Sequence, residues 1–178
     1  MGLFLDGNGI PLAFDLTPGN TNEQKTLLPL EKRIMRDFAL SKLVVCTDAG
    51  LSSKTNRSFN SFANRAYVTV QSLKKLKQHL RDWALDPQAW HLNGSSTVFN
   101  LNEIDLEDNT AVYTKERWIH ENGLEERLII SFSPKYKRYQ ETIRGRQIER
   151  ACHQIEVKAP ARRAKNPNDP ARFIQELK

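Results

Sequence analysis

With 178 residues, 39% of them hydrophobic and 27% charged, the chain is long enough for one sizeable domain or two small ones. No apolar run approaches the roughly 18 residues a membrane span needs, and no basic flank leads into an apolar stretch at the N-terminus. A membrane partner is therefore excluded and a reducing, cytoplasmic setting is expected. The formal charge of +6 and a pI near 9.4 favour polyanionic partners, nucleic acid first, although an ordinary basic cytosolic protein carries such a balance too.

In chain order, the β-prone residues 3–5 and 10–16 flank Asp6-Gly7-Asn8-Gly9, whose Gly and Asn accept positive φ. This predicts a β-hairpin over Gly2–Leu16, with Asp6 a turn residue and Asp15 a strand-end residue rather than metal ligands. Pro18 and Gly19 stop the strand, and Asn20, Thr21 or Asn22 can cap the helix that follows. Leu27, Leu28, Leu30, Ile34, Met35 and Phe38 recur at helical spacing, with Pro29 marking a start or a bend.

Leu43-Val44-Val45-Cys46-Thr47 then reads as a fully buried strand that delivers Asp48 to the C-terminal edge of a sheet. Cys46 is expected to be a small core residue. Cys46 and Cys152 are far apart and show neither disulfide nor zinc spacing. Ser52, Ser53 and Thr55 suit the cap of a short helix over Lys54–Phe62, and Ala66–Val70 is the next strand. Residues 43–70 thus have about the minimal length of a right-handed parallel crossover. A helix is expected over Leu73–Leu85.

Beyond residue 85, Trp90, Val98–Leu101, Ala111–Thr114, Trp118–His120 and Arg127–Phe132 read as short strands of a β meander. Asp105, Glu107 and Asp108 fit a solvated turn. From Lys135 the chain is strongly basic, with Lys135, Lys137, Arg138, Arg144 and Arg146 opening the run. Tyr136–Ile155 can be helical, with Tyr139, Ile143, Ile148, Cys152 and Ile155 approximating one face. Ala159–Pro170 reads as a linker, and Ala171–Leu177 as the start of another helix.

Asp48 is the candidate for chemistry. An acid ending a dry strand is costly unless solvated, paired or bound to a metal. Metal-assisted phosphoryl transfer uses two or three carboxylates around Mg²⁺, yet one strand-end Asp is a weak signal, since many α/β folds place one there. The four histidines are scattered, and there is no nucleophile elbow, phosphate-binding glycine loop or dinucleotide fingerprint. Tyr136 and Tyr139 interleave with Lys135, Lys137 and Arg138. That pattern suits nucleic-acid contact, and equally an amphipathic helix with its basic side in water.

Four segments then carry a family likeness: Gly2-Leu3-Phe4-Leu5-Asp6, Gly9–Phe14, Pro18-Gly19-Asn20-Thr21-Asn22-Glu23 and Cys46-Thr47-Asp48-Ala49-Gly50-Leu51. The chain resembles the catalytic domain of bacterial insertion-sequence transposases of the DDE type. More loosely, so do Ser131–Tyr136 and Arg144–Arg150. The resemblance implies a partial RNase H-like mixed sheet with helices (residues 1–85), a β-rich insertion (86–134) and a basic helical segment (135–178). It implies Asp48 as the second catalytic acid and a Mg²⁺ ligand. It also implies DNA, in the form of transposon ends, as partner, with Lys135, Lys137, Arg138, Arg144 and Arg146 as candidate contacts.

In that family the first acid precedes the hairpin and the third lies in a Tyr-x2-Arg-x3-Glu-x6-Lys helix. No stretch here has that spacing, and Glu141 and Glu149 sit at the wrong offsets. The expectation is an internal fragment, inactive alone, whose exposed sheet edge invites self-association. The alternatives are a non-catalytic DNA-binding remnant and a nonfunctional pseudogene product.

Overall fold

The computed structural model describes residues 2–158, 162–166 and 169–174. The protein is a mixed α/β chain. It divides into two compact units, one comprising Met1–Asp86 and Trp118–Arg127, the other Pro87–Arg117 and Leu128–Lys178.

The first unit opens with the expected hairpin. Strands β1 (Gly2–Leu5) and β2 (Pro11–Asp15) pair antiparallel, with the register shifting between Phe4 and Leu5. Asp6 makes the turn: its Oδ1 accepts from the backbone N–H of Asn8 and of Ile10, and Gly9 adopts φ +81°. Asn22 then caps a 3₁₀ turn, Glu23–Lys25, by accepting from Gln24 N–H. Helix α1 (Leu27–Asp37) follows, with Pro29 in its first turn, where the missing N–H costs nothing. It buries Leu27, Leu30, Glu31 and Ile34 at helical spacing, whereas Phe38 closes the helix as an exposed cap.

Strands β3 (Leu43–Thr47) and β4 (Arg65–Thr69) pair in parallel from Leu43↔Arg65 to Thr47↔Thr69. Helix α2 (Lys54–Asn60), capped by the Ser53 hydroxyl, connects them and stops two residues short of the expected Phe62. Hydrogen bonding places β1–β2 and β3–β4 in separate two-stranded sheets.

The expectation of a wholly buried β3 is corrected. Leu43 and Val45 point into a core with Leu27, Phe4, Met35, Leu40 and Leu51, while Val44 is 65% exposed and Cys46 is exposed. Successive side chains of a strand face opposite ways, and only one face of this sheet is covered. The helix expected over Leu73–Leu85 is also corrected. It splits into a 3₁₀ turn, Leu73–Lys75, and α3 (Gln78–Leu85), because Leu76 and Lys77 adopt extended ψ near 150°.

The second unit centres on a four-stranded sheet of order β6-β5-β7-β8. Its strands are β5 (Trp90–Leu92), β6 (Val98–Phe99), β7 (Tyr113–Glu121) and β8 (Leu124–Phe132). The three short strands expected over Ala111–Thr114, Trp118–His120 and Arg127–Phe132 merge into two of nine residues. Asn122 (φ +57°) and Gly123 (φ +79°) form the two-residue turn between them, and the hairpin tip, Trp118–Arg127, is part of the first unit. Trp90, Ala111 and Tyr113 form a core, with Phe132 edge-on to Trp90 and Phe99 edge-on to Tyr113.

Helix α4 (Pro134–Glu156) begins with proline at its first position and buries Gln147 and Ala151. It contacts a 3₁₀ turn, Pro170–Phe173, whose cap Asp169 is held by Arg162. The expected linker and final helix lie partly outside the described residues, at 159–161, 167–168 and 175–178.

Candidate functional site

Asp48 follows the last residue of β3, at the C-terminal end of the parallel pair. It is exposed, so its carboxylate is solvated rather than dry. Its Oδ1 accepts from Gly50 N–H at 2.9 Å, capping the 3₁₀ turn Ala49–Leu51. Thr69, opposite Thr47, donates its hydroxyl to the Asp48 carbonyl at 3.2 Å and receives the Thr47 hydroxyl at 3.0 Å. The acid is thereby fixed to both strands through backbone and to its own turn through side chain. Among the described residues no lysine or arginine pairs with it.

Glu23 is brought to the same place, which the sequence reading missed. A Cβ added to Gly50 would lie 3.1 Å from Asp48 Oδ1 and 3.7 Å from Glu23 Oε2. The glycine therefore leaves space that two carboxylates border. Buried Asn56 ties the two turns together, donating to the carbonyls of Gln24 and Leu51 at 3.0 Å each. The signal available in sequence was Glu23 in a capped turn, which alone says nothing of its partner.

Carboxylate oxygens are the hard ligands Mg²⁺ prefers, and one or two of them with water and phosphate oxygens complete its octahedron. Asp48 and Glu23 are donors of that class, and both border the space at Gly50. Among the described residues no three His, Cys, Asp or Glu side chains converge to hold a metal. Asp105 and Asp108 are turn residues: Asp105 accepts from Glu107 N–H, and Asp108 from Thr110 and Ala111.

Nearby, Glu126 accepts two hydrogen bonds from Arg57 Nη1, at 2.7 and 2.6 Å, and one from the Tyr67 hydroxyl. Burial, then the bond to Glu126, pushes the Tyr67 phenol above its usual 10.0. Buried Glu31 receives Asn60 Nδ2 on both oxygens, at 2.9 and 3.0 Å. Its carboxyl is raised from 4.5 by burial, against the opposing pull of Asn60 and of Arg65. Thr47, Arg57, Asn60, Tyr67 and Thr69 line a cavity of about 10 Å³, the size of one water and too small for a substrate. Asp48 does not line this cavity and is itself exposed.

The five basic candidates all lie on α4. Lys135, Lys137, Arg144 and Arg146 are exposed. Arg138 is half-buried, and its guanidinium bonds Glu107 at 2.9 Å and the Asn109 side chain. Lys137 lies 3.9 Å from Glu141. Tyr136 and Tyr139 are 62% and 58% exposed, with ring centroids 6.1 Å apart.

No family model, no curated protein and no solved structure matches the chain. No helix among the described residues is long and apolar enough to cross a membrane.

Proposed function

We propose that this chain is part of a DDE-type transposase catalytic domain of RNase H-like fold, acting on DNA in the cytoplasm, with Asp48 a Mg²⁺ ligand. The observation that carries the reading is the placement of Asp48. It is an exposed carboxylate without a cationic partner among the described residues, at the C-terminal end of a β3–α2–β4 parallel crossover. Parallel strands present their loops at that edge, where α/β proteins bind ligands.

Bound Mg²⁺ supplies a polarised phosphoryl oxygen and an activated hydroxyl nucleophile. The chain's part is to orient one ligand: Gly50 N–H holds Asp48 Oδ1, and Thr69 holds the Asp48 carbonyl. In-line phosphoryl transfer of this type uses two or three carboxylates around its metal, and the resemblance assigns only Asp48 of the family's three acids to this chain, so the expected outcome is no nicking by the 178-residue chain.

The test is Mn²⁺ binding, followed by the loss of the free-ion electron paramagnetic resonance signal, beside a supercoiled-plasmid nicking assay. Wild type should bind the ion and Asp48→Asn should bind it at least tenfold more weakly, with neither nicking the plasmid. Equal binding by the two proteins overturns the site. Nicking by wild type that is lost in Asp48→Asn overturns the inactivity while retaining the site.

A non-catalytic DNA-binding role is the second reading. The exposed basic side chains of α4 favour it.

A further inference from the structure

Lys135, Tyr139, Arg146 and Arg150 are all exposed on α4. With Thr142 between them they follow at spacings of four, three, four and four residues, so they share one side of the helix. Gln147 and Ala151, which the helix buries, lie on another side. Lys135, Arg146 and Arg150 have no ion pair among the described residues. Their neighbours on the helix behave differently: Arg138 is bound by Glu107 and Asn109, and Lys137 faces Glu141. On α4 Glu149 borders the stripe, and Glu107 reaches the helix at Arg138.

We infer that this stripe is a contact surface for the phosphate backbone of double-stranded DNA. From Lys135 to Arg150 a straight helix runs about 22 Å at 1.5 Å per residue. Duplex DNA carries a negative charge per roughly 1.7 Å of axis, so three cations spread over that length meet phosphates wherever the helix lies along a groove edge. The Tyr139 hydroxyl adds a neutral donor of the kind that bonds phosphate oxygens. The net charge of +6 supplies the long-range attraction that brings the two together. As an account of which nucleic acid is bound, the inference rests on the transposase reading. The charge arrangement itself does not depend on Asp48.

The experiment is fluorescence anisotropy of a labelled 20-base-pair duplex with the full chain in EDTA, between 50 and 200 mM KCl. Each phosphate contact contributes about 0.9 to the slope of log affinity against log salt. Replacing Lys135, Arg146 and Arg150 together by glutamine should flatten that slope by about 2.7 and weaken binding at least tenfold at 50 mM. The Lys74→Gln, Lys75→Gln double variant, at exposed cations off α4, should keep the wild-type slope, and circular dichroism should show unchanged helix content in both. With EDTA present no metal joins Asp48 to DNA, so the loss in the triple variant reports this surface and not the metal site.

An unchanged slope in the triple variant overturns the inference. An equal loss per removed charge in the double variant does so too, because the attraction is then diffuse. Tighter binding of a single strand than of the duplex overturns the assignment to double-stranded DNA.

Discussion

Replacing Glu31 by glutamine should stabilise the protein at neutral pH, although Glu31 is fully buried and hydrogen-bonded. The carboxylate has one partner side chain, Asn60, which reaches both oxygens. Asn60 Oδ1 has no hydrogen-bond partner among the described residues. Burial raises the Glu31 carboxyl above 4.5, with Asn60 and Arg65 only partly offsetting it. Between pH 4.5 and its raised native value the folded protein keeps a proton that the unfolded chain has released. The contribution is fully present below pH 4.5 and is lost as pH rises through the native value. One proton limits the slope to about 1.4 kcal/mol per pH unit. Glutamine has no charge to bury, and its oxygen still accepts from Asn60 Nδ2. The expected gain at pH 7 is about 1–3 kcal/mol, the cost of an incompletely paired buried group. At this chain length that is about 2–4 °C in Tm per kcal/mol. Urea unfolding followed by circular dichroism from pH 4 to 8 measures both quantities. A Glu31→Gln protein that is less stable at pH 7, or that keeps the wild-type loss of stability above pH 4.5, refutes the reasoning.

Glu126→Gln should cost about 1–3 kcal/mol, because two half-buried donors, Arg57 and Tyr67, lose a charged acceptor. Alkaline ultraviolet titration of the same variant should show the Tyr67 phenol moving back toward 10.0, and no movement would mean that Glu126 does not face it. Gly123→Ala should cost about 1–2 kcal/mol, read as a lowered urea midpoint. Its φ of +79° disfavours any Cβ, although no atom lies within 4 Å of where one would be built. Gly50→Ala tests the carboxylate pair: the new methyl would come to 3.1 Å of Asp48 Oδ1, so Mn²⁺ affinity should fall severalfold while Tm changes little. A variant that binds the ion as wild type does would mean that the space between Asp48 and Glu23 is not where it sits.

The parts of the fold that declared themselves in sequence are those written by neighbours in the chain. Asp6-Gly7-Asn8-Gly9 specifies a turn whatever surrounds it, and the Ser53 cap and the apolar run at 43–47 place α2 and β3. Exposure of Val44 and Cys46 was hidden, because an apolar run reads alike with one face covered or two. The long β7–β8 hairpin was hidden in another way. Lys115, Glu116 and Arg117 look like a break, yet Lys115 is buried with its ammonium 4.8 Å from the Trp90 ring centre. Asn122-Gly123 was the available signal for joining the strands. Glu31, Asn60 and Glu126 could not be read as a set, since their meaning lies in partners 29 and 69 residues away.

The same distinction governs the site. Asp48 was legible because it ends an apolar strand, although the Thr69 hydroxyl that holds its carbonyl was not. Glu23 was not legible, because its turn is tied to the strand end by Asn56, a buried amide in the first turn of α2 that donates to the carbonyls of Gln24 and Leu51. Asn56 is thus the joint on which the carboxylate pair depends while touching neither acid. Removing its side chain takes the donor from the Gln24 and Leu51 carbonyls, at about 0.5–1.5 kcal/mol for each hydrogen bond, and frees the Glu23 turn from the strand end. Asp48, held by Gly50 N–H and the Thr69 hydroxyl, should stay where it is. A metal that needs both acids would then leave with Asn56, and one held by Asp48 alone would remain.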